Sequence, residues 1–155
     1  MLSNMYTTKP LVVLDTNVYV SALLLPQSIP GKIIQFWFNQ SFKIIISDPA
    51  ISELIRVFSR SKFTDQFSLS PISVETLIKN IKFKTIVVNR LKKPKVAIRD
   101  PKDTVILATA IDGHADYLVT GDQDLLVLVN HKSIKPLKII SPTEFLQLFD
   151  SDIMI

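Results

Sequence analysis

Residues 11–17 read LVVLDTN, an uninterrupted aliphatic run that ends on the carboxylate of Asp15. Four consecutive aliphatic residues are typical of a strand buried on both faces, as in a parallel sheet. Residues 117–124, YLVTGDQD, repeat this arrangement and bring Asp122 and Asp124 to the end of a second run. Because ligands bind at the carboxyl ends of strands in open α/β sheets, the two stretches predict one shared acidic site.

Strand-like and helix-like segments alternate along the rest of the chain. Strands are predicted at 11–15, 43–46, 85–88, 117–120 and 137–140, and helices at 18–25, after Pro30, at 49–58, 73–81, 103–112 and 142–149. The helix after the second strand is predicted to start with Asp48 as N-cap and Pro49 at its first position. The alternation implies right-handed β-α-β units and a parallel sheet between helix layers, which is an α/β fold.

The composition suits a single domain. The chain has 155 residues, of which 47% are hydrophobic, enough for one domain with its own core and too few for two ordinary domains. No apolar stretch reaches the roughly 18 residues of a membrane span, and the N-terminus lacks the order of a signal peptide. The absence of cysteine excludes disulfides and thiolate chemistry. We therefore expect a soluble, cytoplasmic protein with no membrane partner.

Half of the basic residues are concentrated between Lys79 and Lys102. Nine of the chain's eighteen Lys and Arg residues lie there beside one acid, Asp100, so that this segment carries +8 and the remainder −4. Its proline-containing part, from Arg90 to Pro101, is predicted to be a loop. The asymmetry favours a polyanionic partner, although basic residues that only keep a loop and a helix face soluble would produce the same pattern.

Asp103 is the third acid expected at the edge of the sheet, because it opens the apolar run TVILATAI at 104–111. Carboxylates that converge to about 6 Å repel by roughly 3 kcal/mol per pair at an effective dielectric of about 20. A protein keeps such a cluster only when the acids take up protons or a divalent cation neutralises them. Oxygen ligands without histidine or cysteine suit Mg²⁺ or Mn²⁺, ions that bind phosphate oxygens and activate water.

Each acid also has a purely structural interpretation. Asp15 and Asp103 are suitable N-caps for the helices that follow them, since Asp is a preferred N-cap residue. Asp122 and Asp124 follow a glycine and fit a polar turn. Glu53 lies away from the apolar stripe of its helix, so the pattern alone places it on the surface.

The ordered set of motifs resembles a PIN domain. The motifs are LDTNV at 14–18, the helical Glu53, DPKD at 100–103 followed by ILATA at 106–110, and YLVTGDQDLL at 117–126. The similarity extends over roughly 11–148 and is greatest to the toxin-like bacterial group, the VapC-type ribonucleases of type II toxin–antitoxin modules. It implies a three-layer α/β/α domain, which we place at 11–149 with tails at 1–10 and 150–155.

The resemblance also implies cleavage of RNA phosphodiester bonds that depends on Mg²⁺ or Mn²⁺. The residues that match the family's catalytic acids and metal ligands are Asp15, Glu53, Asp103 and Asp122. Asn17 and Thr120 match polar supports of the site, and Asp124 is a further support or ligand candidate. We place Asp100 with the supports, although the resemblance leaves open whether Asp100 or Asp103 binds the metal directly. A small antitoxin partner and a homodimer are further implications of the resemblance.

The basic segment is the predicted path for RNA beside these acids. The residues expected to contact phosphates are Lys92, Lys93, Lys95, Arg99 and Lys102. The alternative is a protein that keeps this fold and binds RNA or a protein partner with little catalysis. Metal dependence of RNA cleavage distinguishes the two.

Overall fold

The computed structural model describes residues 8–60, 71–94 and 96–150, with only the backbone at 71–73. The tails predicted at 1–10 and 150–155 lie mostly outside these ranges, as does the predicted RNA contact Lys95, so these remain predictions. The domain limits 11–149 likewise remain a prediction. Within the described ranges, no helix has the length and apolar character needed to span a membrane.

Five parallel strands form the central sheet in the order β3-β2-β1-β4-β5. They are β1 Leu11–Leu14, β2 Lys43–Ser47, β3 Ile86–Val88, β4 Tyr117–Val119 and β5 Lys138–Ile140. The central strand β1 pairs with β2 on one side and with β4 on the other, where Leu14 lies opposite Val119. The last residues of the two acid-bearing strands are therefore direct neighbours, as the sequence predicted.

Helices connect the strands and cover both faces of the sheet. Within the described ranges they are α1 Thr16–Leu24, α2 Ile29–Phe38, α3 Asp48–Phe58, α4 Pro71–Phe83, α5 Pro101–Asp112, α6 Gln123–Leu126 and α7 Pro142–Gln147, with a 3₁₀ turn at Lys132–Ile134. The short helix α6 and the 3₁₀ turn were not predicted, because each occupies only three or four residues, too few to show a helical period.

The sheet separates two hydrophobic clusters. Val12 and Leu14 face a cluster that includes α1, α2, α3, α4 and α7, whereas Val13 between them faces a cluster formed mainly with α5 and α6. This opposite orientation of successive side chains explains why β1 is apolar without interruption. The predicted three-layer α/β/α architecture is confirmed.

The start of α3 differs from the prediction by one residue. Ser47 is its N-cap, and the Ser47 hydroxyl accepts a hydrogen bond from the Ala50 N–H at 3.3 Å. Asp48 is the first helical residue, so its prediction as N-cap was wrong. Ser47 ends β2 with an extended backbone, which is the conformation that an N-cap residue requires.

Candidate metal centre

The buried carboxylate of Asp15 lies at the end of β1 and contacts the end of β4. Its Oδ2 atom accepts a hydrogen bond of 2.6 Å from the hydroxyl of Thr120, which is fully buried. Asp15 occupies the N-cap position of α1, but its side chain makes no capping hydrogen bond there. Burial raises the pKa of Asp15 although the Thr120 hydroxyl donates to it. The carboxylate is therefore directed toward Thr120 in the site, while the backbone N–H groups of Asn17 and Thr16 at the start of α1 also favour its charged form and lower its pKa.

Thr120 also contacts Asp122 and so connects it to Asp15. Its Oγ1 atom also accepts the backbone N–H of Asp122 at 3.0 Å. Asp122 in turn caps α6, because its Oδ1 atom accepts the backbone N–H of Asp124 at 2.8 Å. The polar-turn interpretation of Asp122 is thus correct in part, and the capping contact fixes its side chain beside the other acids.

Asp103 lies in the first turn of α5, where Asp100 is the N-cap and accepts the backbone N–H of Lys102 at 2.9 Å. The helix begins two residues earlier than predicted, since Pro101 suits its first turn. Asp103 is therefore not a cap. Its side chain instead points inward from the first turn and is only 6% exposed.

The carboxylate of Asp103 is incompletely satisfied. Its Oδ2 atom is buried and has no hydrogen-bond partner among the described residues. Carboxylate oxygens of Asp103, Asp122 and Asp124 lie within 4.8 Å of one another. Burial, followed by the neighbouring carboxylate of Asp122, raises the pKa of Asp103 to about 7. A bound cation would neutralise the clustered carboxylates and supply a partner for the unsatisfied oxygen of Asp103.

Glu53 enters the same region from the middle of α3, and its side chain is 19% exposed rather than on the open surface. Lys102 Nζ lies 3.2 Å from Glu53 Oε1, and Arg56 donates to Oε2. These hydrogen bonds, that of Arg56 first, lower the pKa of Glu53. The structure therefore brings Glu53 to the site but pairs it with two cations.

Asp124 also has a basic partner. The Nη2 atom of Arg99 lies 3.0 and 3.3 Å from its two carboxylate oxygens. The side chain of Arg99 is 85% exposed, so this ion pair is open to solvent and to competing ions. Two of the predicted RNA-binding residues, Arg99 and Lys102, thus contact acids of the site.

These side chains surround an open cleft of about 380 Å³, which we call the acidic cleft. It is lined by Asp15, Thr16, Asn17, Val20, Glu53, Val57, Arg60, Asp100, Lys102, Asp103, Ile106 and Asp122. All four acids predicted as metal ligands thus line one cavity, as do the predicted supporting residues Asn17 and Asp100. Their roles as ligands or supports remain predictions.

Sequence reasoning missed two arginines of this region, one in α3 and one just beyond its C-terminal end. Arg56 pairs with Glu53, and Arg60 lines the acidic cleft. The spacing of Glu53 and Arg56 was the available signal, because residues three apart are neighbours on a helix surface. The pairing of Glu53 with Lys102 has no such signal, since it joins two distant helices.

Comparison with known proteins identifies the family. The family profile described as PIN domain matches residues 11–124. The chain belongs to the PIN domain family. PIN domains are in general nucleases, which hydrolyse phosphodiester bonds.

Two individual relatives of this PIN domain are informative. An uncharacterized protein of Methanocaldococcus jannaschii is 28% identical over 144 residues, which are 90% of this chain and 91% of the relative. A chain in the solved structure of VapBC2 from Rickettsia felis, bound to a DNA fragment from their promoter, superposes with a TM-score of 0.55 at 19% identity. That match covers 84% of this chain and 98% of the solved one, and it supports the fold.

Proposed function

We propose that this PIN domain is an endoribonuclease that requires Mg²⁺ or Mn²⁺ and acts in the acidic cleft. The observation that carries the proposal is the buried carboxylate of Asp103, whose Oδ2 atom lacks a hydrogen-bond partner among the described residues. One oxygen of this carboxylate lies within 4.8 Å of carboxylate oxygens of Asp122 and Asp124. Oxygen donors at the carboxyl ends of adjacent parallel strands suit a hard divalent cation.

The residues present fit such an ion. Asp103 and Asp122 would hold it directly, with Asp15, Glu53 and Asp124 as further carboxylate donors. When bound, the ion supplies positive charge to the phosphate oxygens and activates water for attack on phosphorus. The hydroxyl of Thr120 orients Asp15 for this task by its hydrogen bond of 2.6 Å.

The basic segment would bind and orient the nucleic acid. Lys92 and Lys93 are exposed, and the backbone N–H of Lys92 is anchored to Asp112 Oδ2 at 2.6 Å. This contact fixes the loop to the C-terminal end of α5, whereas Asp103 lies in the first turn of that helix. A nucleic acid held by these lysines would therefore extend along α5 to reach Arg99 and the acidic cleft.

A cleavage assay tests the proposal. Single-stranded RNA and DNA of the same sequence are incubated with the protein in EDTA, Mg²⁺ or Mn²⁺. We expect RNA cleavage only with a divalent ion, and a loss of about a hundredfold or more in Asp103→Asn and Asp122→Asn. The control is Asp48→Asn, which removes an exposed acid outside the cleft. Cleavage that persists in EDTA or in both cleft variants would refute the proposal.

A second candidate function is an RNA-binding or partner-binding protein with weak catalysis. The ion pairs of Glu53 with Arg56 and Lys102, and of Asp124 with Arg99, favour it, because they already neutralise two of the acids. This candidate predicts RNA binding that depends on the basic segment but is unchanged by Mn²⁺. Calorimetric titration with Mn²⁺ separates the two functions.

We also propose that the protein is the toxin component of a toxin–antitoxin system, cytoplasmic and homodimeric. Support comes from the fold shared with the VapBC2 chain and from an apolar groove of about 320 Å³ between α1, α2 and α4. The groove is lined by Ala22, Leu23, Pro26, Gly31, Ile34, Gln35, Phe38, Thr76 and Leu77. Co-purification with the product of the neighbouring gene, and light scattering of the complex, test these assignments. A monomer that retains no partner would contradict them.

A further inference from the structure

A second, smaller depression adjoins the acidic cleft. It has a volume of about 200 Å³ and lies among the N-terminal parts of α1, α3 and α5. Its walls are mainly apolar, formed by Pro49, Ala50, Pro101, Val105 and Ile106. We call it the apolar trough.

The apolar trough and the acidic cleft share one boundary. Thr16, Glu53, Lys102 and Ile106 line both cavities. The ion pair of Lys102 with Glu53, at 3.2 Å, therefore stands between a polar, acid-lined space and an apolar one. A ligand that crosses this boundary would place a charged group on one side and a flat apolar group on the other.

We propose that the apolar trough binds the base of the nucleotide whose phosphate lies in the acidic cleft. The inference rests on the proposed nuclease function. A nucleotide has the required composition, since its phosphate needs cations and its base has apolar faces. Lys102 lies at the boundary, where its ammonium group can leave Glu53 for the phosphate. The exposed rings of Pro49 and Pro101 offer contact surface at the mouth of the trough.

The lining of the trough predicts weak base selectivity. Of its lining residues, only Thr16, Glu53 and Lys102 carry polar side-chain atoms, and all three lie at the boundary with the cleft. The inner wall therefore offers burial without a pattern of donors and acceptors. We expect it to take purines and pyrimidines alike, because discrimination between bases requires hydrogen bonds to their edges.

Equilibrium binding of small phosphates tests the proposal without any bond cleavage. Ribose 5-phosphate is compared with uridine and adenosine 5′- and 3′-monophosphates by calorimetry at saturating Mn²⁺. At least one nucleotide series should bind about tenfold more tightly than ribose 5-phosphate, since burial of part of a base removes apolar surface from water. Equal affinities for ribose 5-phosphate and all four nucleotides would overturn the proposal. The trough would then be better explained as a binding site for a side chain of a protein partner.

Variants of Val105 test whether the preference for nucleotides arises in the apolar trough. Val105→Trp, with Val105→Phe as a smaller alternative, fills the trough and should reduce nucleotide affinity to that of ribose 5-phosphate while the Mn²⁺ affinity is unchanged. Val129→Trp makes the same substitution at an exposed position outside the trough and should retain the full preference. A preference that survives in both folded Val105 variants would also overturn the proposal. The proposed function fails by a different result, namely absence of Mn²⁺ binding in the wild type.

Discussion

The Thr120 hydroxyl donates a hydrogen bond of 2.6 Å to Asp15 Oδ2 and thereby joins the ends of β1 and β4 inside the protein. The same oxygen of Thr120 accepts the backbone N–H of Asp122. One buried hydroxyl thus positions two of the acids that we assign to metal binding, although they lie more than a hundred residues apart in the chain.

Loss of the Thr120 hydroxyl should destabilise the folded protein. We expect Thr120→Val to lower the free energy of unfolding by about 2 kcal/mol, because the substitution removes the hydrogen bonds that the hydroxyl makes with a buried carboxylate and with a backbone N–H. Thr120→Ser keeps the hydroxyl and should lower the free energy of unfolding by less than half as much. Urea denaturation of the metal-free proteins measures both. Equal stability of the two variants would show that the hydrogen bonds contribute little.

The metal-free protein should become less stable as the pH rises. Burial and the carboxylate of Asp122 raise the pKa of Asp103 to about 7, well above its value in the unfolded chain. Since the folded state then binds a proton that the unfolded state has released, the stability contributed by protonated Asp103 is present near pH 4 and disappears as the pH approaches and passes 7.

Asp103→Asn isolates this contribution. In EDTA, the free energy of unfolding of the wild type should fall relative to that of the variant by on the order of 3 kcal/mol between pH 4.5 and 8. Addition of Mn²⁺ at pH 8 should restore the free energy of unfolding of the wild type and leave that of the variant nearly unchanged. Parallel pH profiles of the free energy of unfolding of the two proteins in EDTA would contradict a raised pKa of Asp103.

Arg99 should compete with the metal for Asp124. Its guanidinium contacts both oxygens of that carboxylate, but the pair is largely exposed and is therefore easily displaced. We expect Arg99→Gln to strengthen Mn²⁺ binding roughly threefold in calorimetry at low salt. Lys93→Gln, which removes a charge from the same segment, is the control. If Arg99→Gln binds Mn²⁺ no more tightly than Lys93→Gln, Asp124 has no part in metal binding.

The lysines of the basic segment should act on RNA affinity and hardly on stability. The double variant Lys92→Gln/Lys93→Gln should bind single-stranded RNA more weakly regardless of sequence. Its plot of log K against log salt should be flatter by roughly 0.7 for each phosphate that a lysine no longer neutralises. Lys32→Gln/Lys135→Gln removes two exposed lysines from other surfaces and should leave the slope unchanged. A similar decrease in both double variants would indicate that only net charge matters.

Much of the fold could be predicted because its signals are local. The aliphatic runs of β1 and β2 and the alternation of elements were sufficient to indicate a parallel sheet between helices. The same kind of run ends at Asp15 and at Thr120, so the position of the acidic site also followed from the sequence. The N-cap residues were harder to predict, because two suitable residues lie close together at each helix start: Ser47 and Asp48 at α3, and Asp100 and Asp103 at α5. Tertiary packing decides which of the two is the N-cap.

The charge balance of the site could not be predicted in the same way. Glu53 pairs with Lys102 and Asp124 pairs with Arg99 only because α3, α5 and α6 converge at the end of the sheet. Such pairs are set by long-range geometry and leave no periodicity in the sequence. They also explain why Lys102 and Arg99, predicted from charge as RNA contacts, lie beside the acids.

The anomalous diffraction of a crystal soaked in Mn²⁺ tests the metal site most directly. We expect a peak within the acidic cleft, in contact with carboxylate oxygens of Asp103 and Asp122. A well-ordered soaked crystal in which the cleft contains no anomalous peak, or in which Mn²⁺ binds only at other surfaces, would contradict the assignment of these acids to a metal-dependent nuclease.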